Sequence, residues 1–277
     1  MRMCACRGTA GFAHVSCLAE QVKILVAEAE ENNLEGEDMI KRTNRWHMCS
    51  LCEQQHHGVV ACALGWACWK TYLGRPEADW LRGDAMTKLG NGLFEARLHE
   101  DAIPVFEAKL SILQRICAPE ENTLIAQGNL ANTYDALGRS DEGLRLRRDV
   151  YSGWLRLYGE EYYDTLREAN NYADTLVKLE RFEETKALLH KMIPVAQRVL
   201  GKSNHLTLAM KLHSAMAIYY DVGAALDDLR LAVNTLEETS QISRRVLGGA
   251  HPTAVSVEMA LRDSRRVLHA HLNSDSV

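Results

Sequence analysis

The chain has 277 residues, with 32 Lys and Arg against 37 Asp and Glu, a formal charge of −5 and a sequence pI near 6.1. That length holds one large domain or two smaller ones, and the acidic balance excludes a dedicated nucleic-acid binder, which needs a basic face. Hydrophobic residues reach 47% while aromatics stop at 6%, and five prolines are few for the length, a balance that favours helix over sheet.

The first candidate ligands come at once. Cys4-x-Cys6 is followed, after seven residues, by His14-x2-Cys17 and, after a 31-residue gap, by Cys49-x2-Cys52. Thiolates bind Zn²⁺ well, and a short spacer lets two of them clamp one ion from a tight turn. Cysteines grouped at metal spacing, instead of spread as a disulfide framework, suit a reducing compartment. The expected location is cytoplasmic, with the nucleus left open. Cys62, Cys68 and Cys117 fall outside the pattern and read as core thiols. No long apolar stretch of signal-peptide type opens the chain.

This ligand order resembles the RING-CH (RING-variant) zinc finger of ubiquitin ligases, over roughly residues 1–57. The resemblance implies zinc as the metal and a cross-brace in which Cys4, Cys6, Cys49 and Cys52 form one tetrathiolate site. His14 and Cys17 would be half of a second site. The family's first C-x2-C pair has no counterpart here: it lies upstream of Met1, or the second site is degenerate. His47, His56 and His57 are either substitute ligands or solvated loop histidines. The resemblance also implies a ubiquitin-conjugating enzyme as partner. The family often grips that enzyme with a tryptophan four residues after the His-x2-Cys pair, where this chain has Gln21. Trp46, three residues before Cys49, either takes that role or packs the finger. The long gap carries an expected helix over Leu18–Glu31 and an acidic run (Glu28, Glu30, Glu31, Glu35, Glu37, Asp38) that reads as solvated.

From Gly58 to Trp69 the sequence is GVVACALGWACW, twelve residues before Lys70. A membrane-spanning helix needs roughly 20. The stretch therefore reads as a connecting helix (58–85) buried between finger and repeats, and no membrane is expected.

Beyond it the chain repeats itself at a 42-residue step. Asn129 to Leu137 aligns with Asn171 to Leu179, and the same shift brings in His213 to Tyr219. Thr123, Thr165 and Thr207 keep the step, as do Gly159 and Gly201. An earlier unit, Leu89 through Asp101-Ala102, matches at a shift of 41. Each unit reads as two helices. The first carries Leu130, Ala131, Tyr134 and Leu137 and stops near Gly138. The second starts on acids (Asp141, Glu142; Glu183, Glu184), which complement the helix N-terminus. Its stripe of Leu188, Leu189, Met192, Val195, Ala196 and Val199 has helical spacing, and Pro194 inside it is expected to kink the helix. A capping helix is expected over about 254–268, with a disordered tail from Asn273.

Helix pairs of this kind resemble tetratricopeptide repeats, whose common length is about 34 residues. The longer unit is similar to kinesin light chain repeats, on Asn170-Asn171-Tyr172-Ala173 and on Leu247-Gly248 followed by His251-Pro252 and Thr253. The expected fold is mainly α: a tetratricopeptide-like right-handed helical solenoid of four units over 86–262, preceded by a small zinc-binding RING-CH-like finger. The resemblance implies a groove lined by the first helices that takes a protein or peptide. Asn129, Asn132, Asn171 and His213 occupy related first-helix positions, where they either bond that peptide's backbone or bond neighbouring repeats. No phosphate loop, dinucleotide fingerprint, HExxH or GxSxG appears. The expected function is that of a zinc-binding, ubiquitin-ligase-like interaction protein whose repeats recruit a partner. The rival is a non-enzymatic scaffold with a structural finger.

Overall fold

The computed structural model describes residues 14–274. It divides the chain into two compact units, 1–139 and 140–277, and the described elements of each are helices. Cys4 and Cys6 lie outside the described residues.

In the first unit, α1 (Val15–Glu31), α2 (Gly36–Thr43) and a 3₁₀ turn (Asn44–Trp46) precede α3 (Gly58–Tyr72), α4 (Trp80–Glu95), α5 (His99–Arg115) and α6 (Glu120–Ala136). The expected helix over Leu18–Glu31 is thus present and three residues longer at its start. Ala19, Val22, Val26 and Ala29 recur every three to four residues along α1 and are buried. They share one core with Met39, Trp46, Val60, Leu64, Cys68, Tyr72, Leu81 and Ala85. Residues on both sides of position 57 build this core, so the described part of the expected finger and the connecting helix pack as one body. Nor is all of the acidic run free in solvent: Glu30 takes both arms of Arg75 at 2.7 Å, and Glu28 lies 3.7 Å from Arg42.

α3 and α4 are an antiparallel pair held at unusually close range. A Cβ at Gly65 would sit 2.6 Å from the Lys88 carbonyl oxygen, and one at Gly92 would sit 2.6 Å from that of Ala61. Only glycine lets two helix backbones approach so nearly. The expected boundary at 85/86 therefore falls inside α4, and α3 is a full packing partner of the first repeat. Asp79 caps α4 by accepting the Leu81 N–H at 2.8 Å.

The second unit comprises α7 (Ser140–Tyr158), α8 (Tyr163–Lys178), α9 (Phe182–Leu200), α10 (His205–Tyr219), α11 (Leu226–Leu247) and α12 (Pro252–Ser274). α8 and α9 bury Leu166, Ala169, Ala173, Leu189, Met192 and Ala196 against Leu206 and Met210 of α10. Leu229, Ala232 and Leu236 of α11 pack on Val257 and Ala260 of α12, which covers the end of the array and runs to Ser274, past the expected stop at 268. Of the α9 stripe, Val199 is exposed. Pro194 does not interrupt α9; it lies on the exposed face, as does His190 one turn before it.

The 42-residue step is written into the backbone. A left-handed residue closes each second helix: Cys117 (φ 50°), Gly159 (φ 79°) and Gly201 (φ 92°) keep the step, and Gly248 (φ 86°) follows five residues late. Cys117 is exposed and Cys62 is partly exposed, so of the three expected core thiols only Cys68 is buried. Two residues past α4, α6 and α8 the backbone is left-handed too, at Arg97 (φ 61°), Gly138 (φ 72°) and Glu180 (φ 58°).

Candidate functional site

Two places in the chain carry the expected site residues. The first is the turn around Cys49-x2-Cys52. Met48 and Gln55 form an antiparallel bridge, and the Cys49 N–H donates to the Gln54 carbonyl at 2.8 Å. Glu53, left-handed at φ 55°, returns its N–H to the Cys49 carbonyl at 3.0 Å. The Leu51 N–H then points at the Cys49 sulfur, 3.4 Å away. Cys49 is buried, Cys52 half-buried, and Leu51 between them is 68% exposed.

His14 and Cys17 open α1 with Nδ1 and Sγ 4.0 Å apart, both exposed. Each pair offers two donors of the kind zinc takes. Among the described residues no group of three or more His, Cys, Asp or Glu converges to hold a metal.

Trp46 is not a contact surface. It is 1% exposed and meets Tyr72 edge-on, ring centroids 6.2 Å apart, because the 3₁₀ turn directs it into the core beneath α3. The neighbouring histidines differ among themselves: His56 is buried, while His57 is exposed and pairs with Glu95 at 3.1 Å. Burial holds the His47 imidazole well below its usual range, to about 4, with Lys88 and His56 adding to the effect.

The second place is the first-helix face. In the second unit, α8 presents Arg167, Asn171, Asp174 and Lys178 at helical spacing, all at least partly exposed, and α10 packs beside it. His213 of α10 is tied back to α8: Nδ1 lies 3.1 Å from the Asn170 side-chain oxygen and Nε2 3.5 Å from Asp174. Burial lowers its pKa, against the opposing pull of Asp174. Asn171 donates to Glu168 at 3.3 Å. For these two residues the bonds run inside the repeat stack. In the first unit, Asn129 and Asn132 are partly exposed on α6, and the Asn129 carbonyl accepts the Thr133 hydroxyl at 2.9 Å.

The bonds of Asn171 lead to a network that the sequence reading passed over. Glu168 is 4% exposed and receives Arg147 (3% exposed) at 3.5 Å, Arg167 at 3.0 Å and Asn171. Lys109, 9% exposed, is a second buried charge. Both had a sequence signal. Arg147 lies on the stripe Gly143, Val150, Trp154, and Lys109 on Ala102, Phe106, Leu113, so each is a charge standing in an apolar row.

No family model matches the sequence, and no curated protein matches it. Solved structures do. A protein of Podosopora anserina with nearly identical TPR-like repeats of kinesin light chain type matches with a TM-score of 0.55 at 17% identity, covering 84% of this chain and 98% of that one. A second crystal structure under the same description gives a TM-score of 0.54 at 17% identity, with the same coverage of both chains. A Rap protein complexed with competence and sporulation factor gives 0.52 at 12% identity, covering 92% of this chain and 72% of that one. At such identities the likeness speaks for fold alone. The chain has a tetratricopeptide-like helical repeat fold.

Proposed function

We propose that this chain is a protein-interaction protein whose helical repeats hold a protein or peptide partner. The observation that carries the reading is the polar, part-exposed first-helix face of α8, where Arg167 and Asn171 are anchored by Glu168 and Lys178 pairs with Asp174 at 2.7 Å. Anchored side chains lose little further freedom on binding, which is what an affinity surface requires. The Rap protein's complex with competence and sporulation factor supports the reading by analogy of fold. A photo-crosslinking residue at Asp174 should capture a protein partner in cells, and one at Glu183, on the exposed start of α9, should not. Equal labelling from both positions overturns the assignment of the face.

The finer reading adds a metal. Cys49 and Cys52, with Cys4 and Cys6, hold one zinc, and His14 and Cys17 supply two donors to another; zinc bound there would brace the segment ahead of α3. The turn that aims the Leu51 amide at Cys49 supports this reading. The exposed Leu51 supports contact with a ubiquitin-conjugating enzyme, in which the chain would act by proximity and contribute no nucleophile. Elemental analysis of reduced protein should find zinc, and less of it in Cys52→Ala. Zinc-free protein overturns the metal reading. Zinc-loaded protein that leaves every conjugating enzyme in a broad panel unstimulated leaves the scaffold reading in place of the ligase-like one.

A further inference from the structure

A cavity of about 590 Å³ opens among α4, the end of α5 and the start of α6, within the first unit. Small-molecule sites commonly span about 300–1,000 Å³ and combine apolar walls with a few fixed polar groups. Here Trp80, Ile112, Leu113, Ile116 and Ile125 form much of the wall. Three of them keep large exposed areas around the opening: Trp80 at 50%, Ile116 at 36% and Ile125 at 41%. Large apolar groups gathered at one mouth mark a binding site more often than single exposed side chains do.

The charges around the cavity leave a positive remainder. Glu77 is clasped by Arg115 at 2.8 Å, Asp79 caps α4 and accepts Arg75 at 3.1 Å, and Asp84 pairs with Lys88 at 3.4 Å. Lys109 stands apart. Among the described residues its ammonium has the Thr87 hydroxyl as hydrogen-bond partner and no carboxylate within ion-pair distance. Arg82, also on the wall, keeps its Nε buried with no acceptor among the described residues.

We propose that this cavity binds a small amphipathic carboxylate, its apolar body against Trp80, Ile112 and Ile125 and its carboxylate on the Lys109 ammonium. A neutral ligand leaves a buried ammonium without a counter-charge, and a cation is repelled by it. A carboxylate supplies the missing acceptor, and a charge-assisted bond of this kind is strong where water is excluded. Burial already pushes Lys109 down to about 8, with Lys88 adding to the effect and Asp84 opposing it, in keeping with an ammonium short of partners. The site is independent of the first-helix face of the second unit and of any metal.

The test is titration calorimetry on the full chain with decanoate, and with decanol as the uncharged probe of equal length. Decanoate should bind saturably at one per chain, at least about tenfold more tightly than decanol, the scale of one charged hydrogen bond. Lys109→Met should lose that advantage and leave decanol unchanged, while Ile112→Trp, which fills the cavity, should abolish both. Equal affinity for the two probes, absence of saturable decanoate binding, or undiminished decanoate binding by Lys109→Met each overturns the proposal. Should Lys109→Met not fold by circular dichroism, the comparison of the two probes on the unaltered chain decides alone.

Discussion

Cys117, Arg97 and Glu180 sit where the backbone turns left-handed, a conformation that costs a side-chain-bearing residue about 1–2 kcal/mol. Glycine removes that strain but adds freedom to the unfolded chain, so part of the gain is returned. Cys117→Gly and Glu180→Gly should each stabilise the protein by about 0.5 kcal/mol, read as a higher urea midpoint with unchanged slope. Lys109 supplies the pH-dependent counterpart. Burial depresses its pKa from 10.5 to about 8. Below pH 8 the folded state bears the whole penalty of a buried ammonium. Between pH 8 and 10.5 the unfolded chain binds more protons, so stability rises with pH across that window. Lys109→Met should therefore stabilise at pH 7 by up to ~3 kcal/mol, and the gain should shrink toward zero by pH 10.5 in paired urea titrations.

Among elements, the α3–α4 contact and the α7–α8 ion network respond to substitution in distinct ways. At Gly65 a methyl group meets backbone, which cannot swing aside, so Gly65→Ala should cost about 1–3 kcal/mol. Gly83 lies in α4 too, but a methyl there meets nothing within 4 Å, and Gly83→Ala should gain up to about 1 kcal/mol from helix propensity. Chemical denaturation of the two variants side by side separates close approach from mere flexibility. In the second unit, Glu168→Ala would leave Arg147 buried without the carboxylate it faces. A loss of about 3–5 kcal/mol is expected, against roughly 0–1 for Arg198→Ala at the exposed pair with Glu161. A melting series on both variants checks the contrast.

For the molecule as a whole, metal and helix content should prove separable. The cores of the second unit are built from Leu, Ala, Met, Val and Tyr with no cysteine or histidine among their buried members. Nearest-neighbour packing of helices is what stabilises arrays of this type. Chelator should therefore leave most of the far-ultraviolet helical signal, and any change should map by protease sensitivity to the segment before α3. Among the described residues no helix is long and apolar enough to cross a membrane, α3 included.

The helices and their repeat were legible in the chain because both are local properties. Apolar residues every three to four positions specify a buried face, and a 42-residue step in Asn, Thr and Gly returns as a step in backbone conformation at Cys117, Gly159 and Gly201. The tight turn at Cys49–Cys52 was legible as well, since C-x2-C spacing constrains a few adjacent residues. Trp46 and Cys117 were not, and the apolar row that holds Lys109 marked the residue without fixing its burial. Whether a tryptophan faces a partner or a core depends on where α3 lies, and whether a lysine is solvated depends on α4 and α6. Asn171 and His213 show the same limit: sequence places both on the first-helix face, but only packing decides that Glu168, Asn170 and Asp174 occupy their polar atoms. Periodicity along one helix fixes which face it buries. What that face meets is set by residues tens of positions away, through contacts that no local pattern encodes.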